Sequence, residues 1–253
     1  MTAAPDSENP YKYWAFISYS HRDKAPGEWL HRSLEAYRIA KSLQGKNTPM
    51  GPIPARLFPV FRDRDELAAA PDLGDRIEAA LRQSRYLIVV CSPASAASPW
   101  VNKEIAYFKS MGREDRIFSL IVDGEPYASE RPGQQSDECF PIALRTRLAP
   151  DGRTDTPAEP LAADLREDKD GRQNALLKLV AGMLGVGFDE LRQRQLEARN
   201  AWLRKVVAAS LALVLVFAAL AGYALVQQRL AEQRGRIALS RQLAVQSGTL
   251  LQT

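Results

Sequence analysis

The sequence predicts an α/β domain on a parallel sheet covered on both faces, followed by a long helix containing a single transmembrane span. Three observations predict it. Short apolar runs bounded by turn residues recur at 14–20, 57–61, 86–91 and 117–122, as expected of strands buried on both faces. Helical patterns separate those runs, and strand–helix alternation implies a parallel sheet. Residues 206–226 run without a charge, interrupted only by Ser210, Gly222 and Tyr223. At about 1.5 Å per residue this segment matches the thickness of a bilayer core.

The first run, Trp14 to Ser20, ends in a cluster of hydroxyls. Leu30, Leu34 and Tyr37 then sit at i, i+4, i+7, the spacing of an apolar helix face. The run 57–61 contains Pro59, which predicts a position at the sheet edge because proline cannot donate to a ladder. Ile77 and Leu81 mark a second helix. Tyr86 to Cys91 is a strand, with Cys91 a small apolar core residue. Ser98 is a good N-cap and Pro99 suits the first helical position, so a helix runs from there to Met111-Gly112. From Asp123 to Arg172 six prolines predict an irregular stretch, with a short helix near Ala143 and a short edge strand at 163–165. A helix begins at Ala175 and fades at Gly185-Val186-Gly187; from Asp189 the pattern is helical into the span. Beyond it, Leu239, Leu243, Gln246 and Leu250 follow a weak amphipathic spacing, and Thr253 closes the chain without a cap, as in a truncated segment.

Composition removes several functions. Of 253 residues, 45% are hydrophobic and 25% charged, as in folded proteins. The net charge is +4 and no basic stripe is interleaved with aromatics, which argues against nucleic acid. Two cysteines and two histidines predict neither a disulfide nor a metal site. The first residues, Met1 to Glu8, lack the apolar core of a signal peptide.

Chemistry is expected at the rim where strands end and helices begin. Trp100 and Glu104 are four residues apart, so they share a helix face and lean back toward that rim. A carboxylate beside a large ring suits a sugar bearing a heterocycle. The bland alternatives are a solvated surface glutamate, a core tryptophan, and Phe16 as packing.

Four motifs carry a resemblance: Phe16-Ile17-Ser18-Tyr19-Ser20, Phe61-Arg62-Asp63-Arg64-Asp65-Glu66-Leu67, Val90-Cys91-Ser92-Pro93, and Ser98-Pro99-Trp100 through Glu104. In that order they resemble Toll/interleukin-1 receptor (TIR) domains, over roughly residues 12–185, and most nearly the bacterial subset with a membrane helix. The resemblance implies a flavodoxin-like sheet. It divides the chain into a flexible 1–11, a TIR domain at 12–187, a juxtamembrane helix at 188–205, the span at 206–226 and a helical segment at 227–253. It implies cleavage of the glycosidic bond of NAD⁺ as substrate, without a cofactor. Glu104 would be the catalytic carboxylate, with Phe16, Ser18, Arg62 and Trp100 binding substrate. Residues 62–74 resemble the loop that gates the site and joins TIR domains, although Ala70-Pro71 replaces its common glycine. Partners implied are NAD⁺, other TIR domains in a homo-oligomer, and a lipid bilayer.

Two other readings compete with this enzyme: a non-catalytic TIR scaffold, and a membrane-disrupting sensor or toxin. The last calls for polar residues along the span, which has none charged. Five basic residues lie within fifteen positions before the span and four after it, too even to orient it by charge. The expected cytoplasmic side for the domain follows from the absence of an export signal and from a cytosolic substrate.

Overall fold

The computed structural model describes residues 11–62, 73–147, 156–194, 203–218, 220, 221 and 223. The chain divides into two compact units, Met1–Gln195 and Leu196–Thr253.

The first unit is built on five parallel strands: β1 (Tyr13–Ser18), β2 (Val60–Arg62), β3 (Ser84–Cys91), β4 (Ile117–Ile121) and β5 (Ala162–Asp164). Their spatial order is β2-β1-β3-β4-β5. The chain steps outward from β1 to β2, then crosses back to β3 on the other side of β1. The direction of winding therefore reverses between β1 and β3, and ligands bind at such a switch point, outside the strand carboxyl ends. The helices are α1 (Lys24–Ala36), α2 (Leu73–Arg82), α3 (Pro93–Ala96), α4 (Pro99–Ser110), α5 (Ile142–Arg145) and α6 (Gly171–Leu184).

The period of two along β1 sorts its side chains between two cores. Ala15 and Ile17 face α1 and α6, with Leu30, Leu34, Val180 and Met183. Phe16 faces α2 and α4, with Phe61, Ile77, Leu81, Leu87, Val101, Ile105 and Phe108. A fully buried side chain of this size contributes about 1.5–3 kcal/mol. Tyr86, also fully buried, satisfies its hydroxyl by donating to the carbonyl of Met183, 2.7 Å away.

Several expectations are adjusted. The first strand stops at Ser18, because Ser20 already leads a turn at His21–Asp23. The run 57–61 becomes a strand only from Val60, since Pro59 has no N–H; its carbonyl accepts from the amide of Trp14 at 2.7 Å. The edge position holds. The stretch after Asp123 does contain a short helix and a short edge strand, but also single turns at Ala128–Glu130 and Gln135–Asp137 and a two-residue pairing of Thr146–Arg147 with Thr156–Pro157. Gly124, at φ +79°, is required there: a Cβ would lie 2.6 Å from the carbonyl of Asp137. Helix α6 starts at Gly171, earlier than Ala175.

In the second unit, residues 203–218 are helical. Among the described residues no helix is long and apolar enough to cross a membrane. Part of the expected span, including 224–226, and the stripe at 239–250 lie outside the described residues, as do Asp63 to Asp72 of the expected gating loop.

Candidate active site

Two serine caps set the geometry of the rim. Ser92 caps α3: its Oγ accepts from the amide of Ser95 at 3.1 Å, and Ser95 Oγ accepts from the amide of Ser92 at 2.8 Å. Ser98 caps α4, its Oγ accepting from the amide of Val101 at 3.4 Å, with Pro99 in the first turn. Asn102 locks the junction by donating to the carbonyls of Ser98 (2.9 Å) and Ala96 (3.2 Å). It also accepts from the amide of Ala143 at 3.0 Å, which ties α5 to α4.

Glu104 therefore sits one turn into α4 beside the end of β1. Ser18 Oγ donates to Glu104 Oε2 at 2.5 Å. The glutamate is 4% exposed. This excludes the solvated surface glutamate given as the alternative: the carboxylate turns inward onto the strand end. Trp100 is 50% exposed, so it is not a core residue. With Ile77, Glu78 and Leu81 of α2, and with Glu104 and Tyr107, it lines a crevice of about 20 Å³, room for one water. Lys103 Nζ stands 6.0 Å from the centre of the Trp100 ring.

The structure brings Ser18, Glu104 and Trp100 together and separates the others from them. Phe16 lies beneath Ser18 on the same face, fully buried and stacked on Phe61 at 5.1 Å. Arg62 is in register with Ile17 and turns to the opposite face, where Nη1 lies 3.6 Å from Glu28 Oε1 of α1. The period of two already implied this, since Phe61 faces α4.

A second carboxylate, missed in the sequence, stands across the switch point. Asp23, 8% exposed, accepts from Ser92 Oγ at 2.6 Å. Burial pushes its carboxyl up from the ordinary value of 3.8; the Ser92 hydroxyl opposes this and the charge of Asp123 adds to it. Nothing local marks such a pair, because its members are 69 residues apart.

A roomier cavity, about 480 Å³, lies elsewhere, at the amino end of β4 beside Lys109, Ser119 and Leu161. Its buried Lys109 is already engaged by Glu114 at 2.8 Å and the carbonyl of Thr146 at 2.6 Å. The rim has the more telling chemistry: a buried carboxylate faces any group held over the strand ends, and an exposed indole offers a face that attracts cations by about 0.5–2 kcal/mol.

Comparison with known proteins bears on this site. The family model of the TIR domain matches residues 15–176. The chain is 33% identical over 222 residues to the NAD(+) hydrolase ApTIR of Actinoplanes sp., a match covering 80% of this chain. The chain spans only 28% of that relative's length. A chain from the activated Roq1 resistosome recognising the effector XopQ (its TIR domains) is 17% identical, covering 49% of this chain and 66% of that one; its TM-score of 0.36 is too low to carry an argument. With the family model spanning the sheet from β1 to α6, this chain belongs to the TIR domain family.

Proposed function

We propose that this chain is a membrane-tethered NAD⁺ glycohydrolase of bacterial signalling or defence. The observation that carries the reading is the buried Ser18–Glu104 pair at the switch point. The likeness to a named NAD(+) hydrolase supports it.

In this reaction NAD⁺ and water give ADP-ribose, nicotinamide and a proton. Breaking the nicotinamide–ribose bond returns the bonding pair to the pyridinium nitrogen, and positive charge passes to the ribose as in other oxocarbenium-like transfers. The departing nicotinamide is neutral, so no general acid is needed. Glu104 stabilises the ribosyl cation, and Ser18 orients that carboxylate. Trp100 stacks the pyridinium at the mouth. Phe16 supports the floor under Ser18, whereas Arg62, on the α1 face and paired with Glu28, takes no part in this site.

The test is nicotinamide release from NAD⁺ by the full chain and by Glu104→Gln. Release by the wild type and its loss in the variant are expected. No release from a folded, concentrated wild type favours a non-catalytic TIR scaffold.

Activity on this reading depends on TIR–TIR contacts through the 62–74 loop, since tethering raises effective concentration. Specific activity should fall on dilution; a constant value over a hundredfold range under saturating NAD⁺ overturns this. The bilayer anchor is the apolar segment 206–226. Leu211, Leu213, Val214, Leu215, Val216 and Phe217 are each more than half exposed and are spread around the helix, a pattern suited to lipid. The chain should remain in membranes after an alkaline wash, with the domain on the cytoplasmic side and open to protease in inside-out vesicles. Release by the wash, or protection of the domain, argues against that arrangement.

A further inference from the structure

We infer that Asp23 is a positioning residue for Glu104, holding through Ser92 the two-helix segment that carries Trp100 and Glu104. The inference rests on the catalytic reading of Glu104 given above.

The chemistry of the Ser92 hydroxyl is the core of it. An ionised carboxylate only accepts hydrogen bonds. Asp23 Oδ2, 2.6 Å from Ser92 Oγ, therefore fixes the direction of the single O–H. The lone pairs are left for the amide of Ser95, which Ser92 caps at 3.1 Å. Asp23 thus aims the cap that starts α3.

From α3 the connection to α4 is stiff. The amide of Ala97 donates to the carbonyl of Pro93 (3.2 Å) and that of Ser98 to the carbonyl of Ser95 (3.1 Å). Asn102 then clamps the carbonyls of Ala96 and Ser98. Glu104 closes the circuit on Ser18. Ser18 and Asp23 flank one turn after β1, so a single turn grips the segment at both ends, at Ser92 and at Glu104.

Such an arrangement costs stability. Asp23 is nearly buried, has Asp123 as a like charge nearby, and accepts from one side chain. Sites held at a cost to folding are expected where geometry matters to function.

The experiment uses the full chain carrying 5-fluorotryptophan, comparing wild type with Asp23→Ala, Ser92→Ala, the double variant and Asp23→Asn. Rates of nicotinamide release are taken per folded molecule, and the Trp100 fluorine resonance is assigned with Trp100→Phe. Misplacing a reacting group by about 1 Å can cost about 100-fold, so Asp23→Ala and Ser92→Ala should each lower kcat about 10–100-fold with KM within about twofold. The double variant should be no worse than either single one, because both break one contact. Asp23→Asn, whose amide oxygen still accepts from Ser92, should restore most of the rate. The Trp100 resonance should move in both alanine variants while those of Trp14 and Trp29 stay.

Wild-type kcat with an unmoved Trp100 resonance in Asp23→Ala overturns the inference. So do additive losses, an Asp23→Asn no better than Asp23→Ala, or shifts of Trp14 and Trp29 as well. Full activity in Glu104→Gln would instead sink the catalytic reading, and the Trp100 resonance would still decide whether Asp23 positions the segment.

Discussion

Asp23 and Glu138 are buried alike, 8% and 7% exposed, yet their carboxyl groups are displaced in opposite directions. Glu138 lies in the stretch between β4 and α5. Burial pushes its carboxyl up, but the amide of Phe140 (2.8 Å), the hydroxyl (2.8 Å) and amide (3.2 Å) of Ser129, and Arg145 at 3.4 Å together outweigh that and hold it below 4.5. The amide of Tyr127 donates as well, at 3.2 Å, from a residue in the left-handed region. Asp23 takes one hydroxyl and faces another acid. The difference follows from desolvation, which is the greater at Asp23, and from donors, which are the more numerous at Glu138. In the loop, donors are supplied in excess and the carboxylate acts as a staple. At the switch point they are scarce, and the carboxylate keeps a capacity that can be spent on holding a neighbour.

Glu104 tests which class a third buried carboxylate joins. If it belongs with the rim, Glu104→Gln should lower the rate of nicotinamide release about 100–1000-fold, as losing one electrostatic contact to a developing charge does. Its melting temperature should stay at or above that of the wild type, because glutamine keeps a partner for Ser18 without a buried charge. A large drop in melting temperature would make Glu104 a staple like Glu138.

Glu138→Ala probes the other side of the comparison, and should give the largest stability loss. It strands several donors together with the partly buried Arg145, whose side chain is 17% exposed. Breaking a buried pair in this way costs about 3–5 kcal/mol. Chemical denaturation of the full chain in detergent should report a loss of that order, with the rate per folded molecule unchanged. A loss below about 1 kcal/mol would mean that the loop does not depend on its staple.

The two carboxylates also differ from Glu104 in how far the sequence revealed them. Strands buried on both faces leave apolar runs, so β1, β3 and β4 were legible, and Pro59 marked the edge. Ser98-Pro99 fixed the start of α4, and helical spacing put Trp100 and Glu104 on one face. Helical patterning, however, counts any glutamate as solvated, so the burial of Glu104 was not visible. Asp23 and Glu138 draw their character from partners brought in by the fold: Ser92 is 69 positions from Asp23, and Ser129 nine from Glu138. The paired turns after Asp123 were hidden because each is held by backbone bonds and the Glu138 staple and carries no apolar period. Arg62 was the reverse case, since the alternation along β2 already assigned it to the α1 face.

The finest contrast is in pH. Glu138 has a depressed carboxyl, so its contribution to stability is present above 4.5 and is lost as pH falls through its lower folded value. Asp23 has a raised carboxyl, so the native state binds its proton more tightly than the unfolded chain. Its ionisation therefore lowers stability as pH rises from 3.8 through its higher folded value. The difference in unfolding free energy between wild type and Glu138→Gln should grow with pH and level off by about 4.5. That between wild type and Asp23→Asn should move the other way over a window beginning near 3.8 and level off above it, leaving Asp23→Asn the more stable at neutral pH. Denaturation series between pH 3 and 7 would read both. Difference curves of the same sign would mean that the two carboxylates see equivalent surroundings, and the contrast between staple and rim would fall.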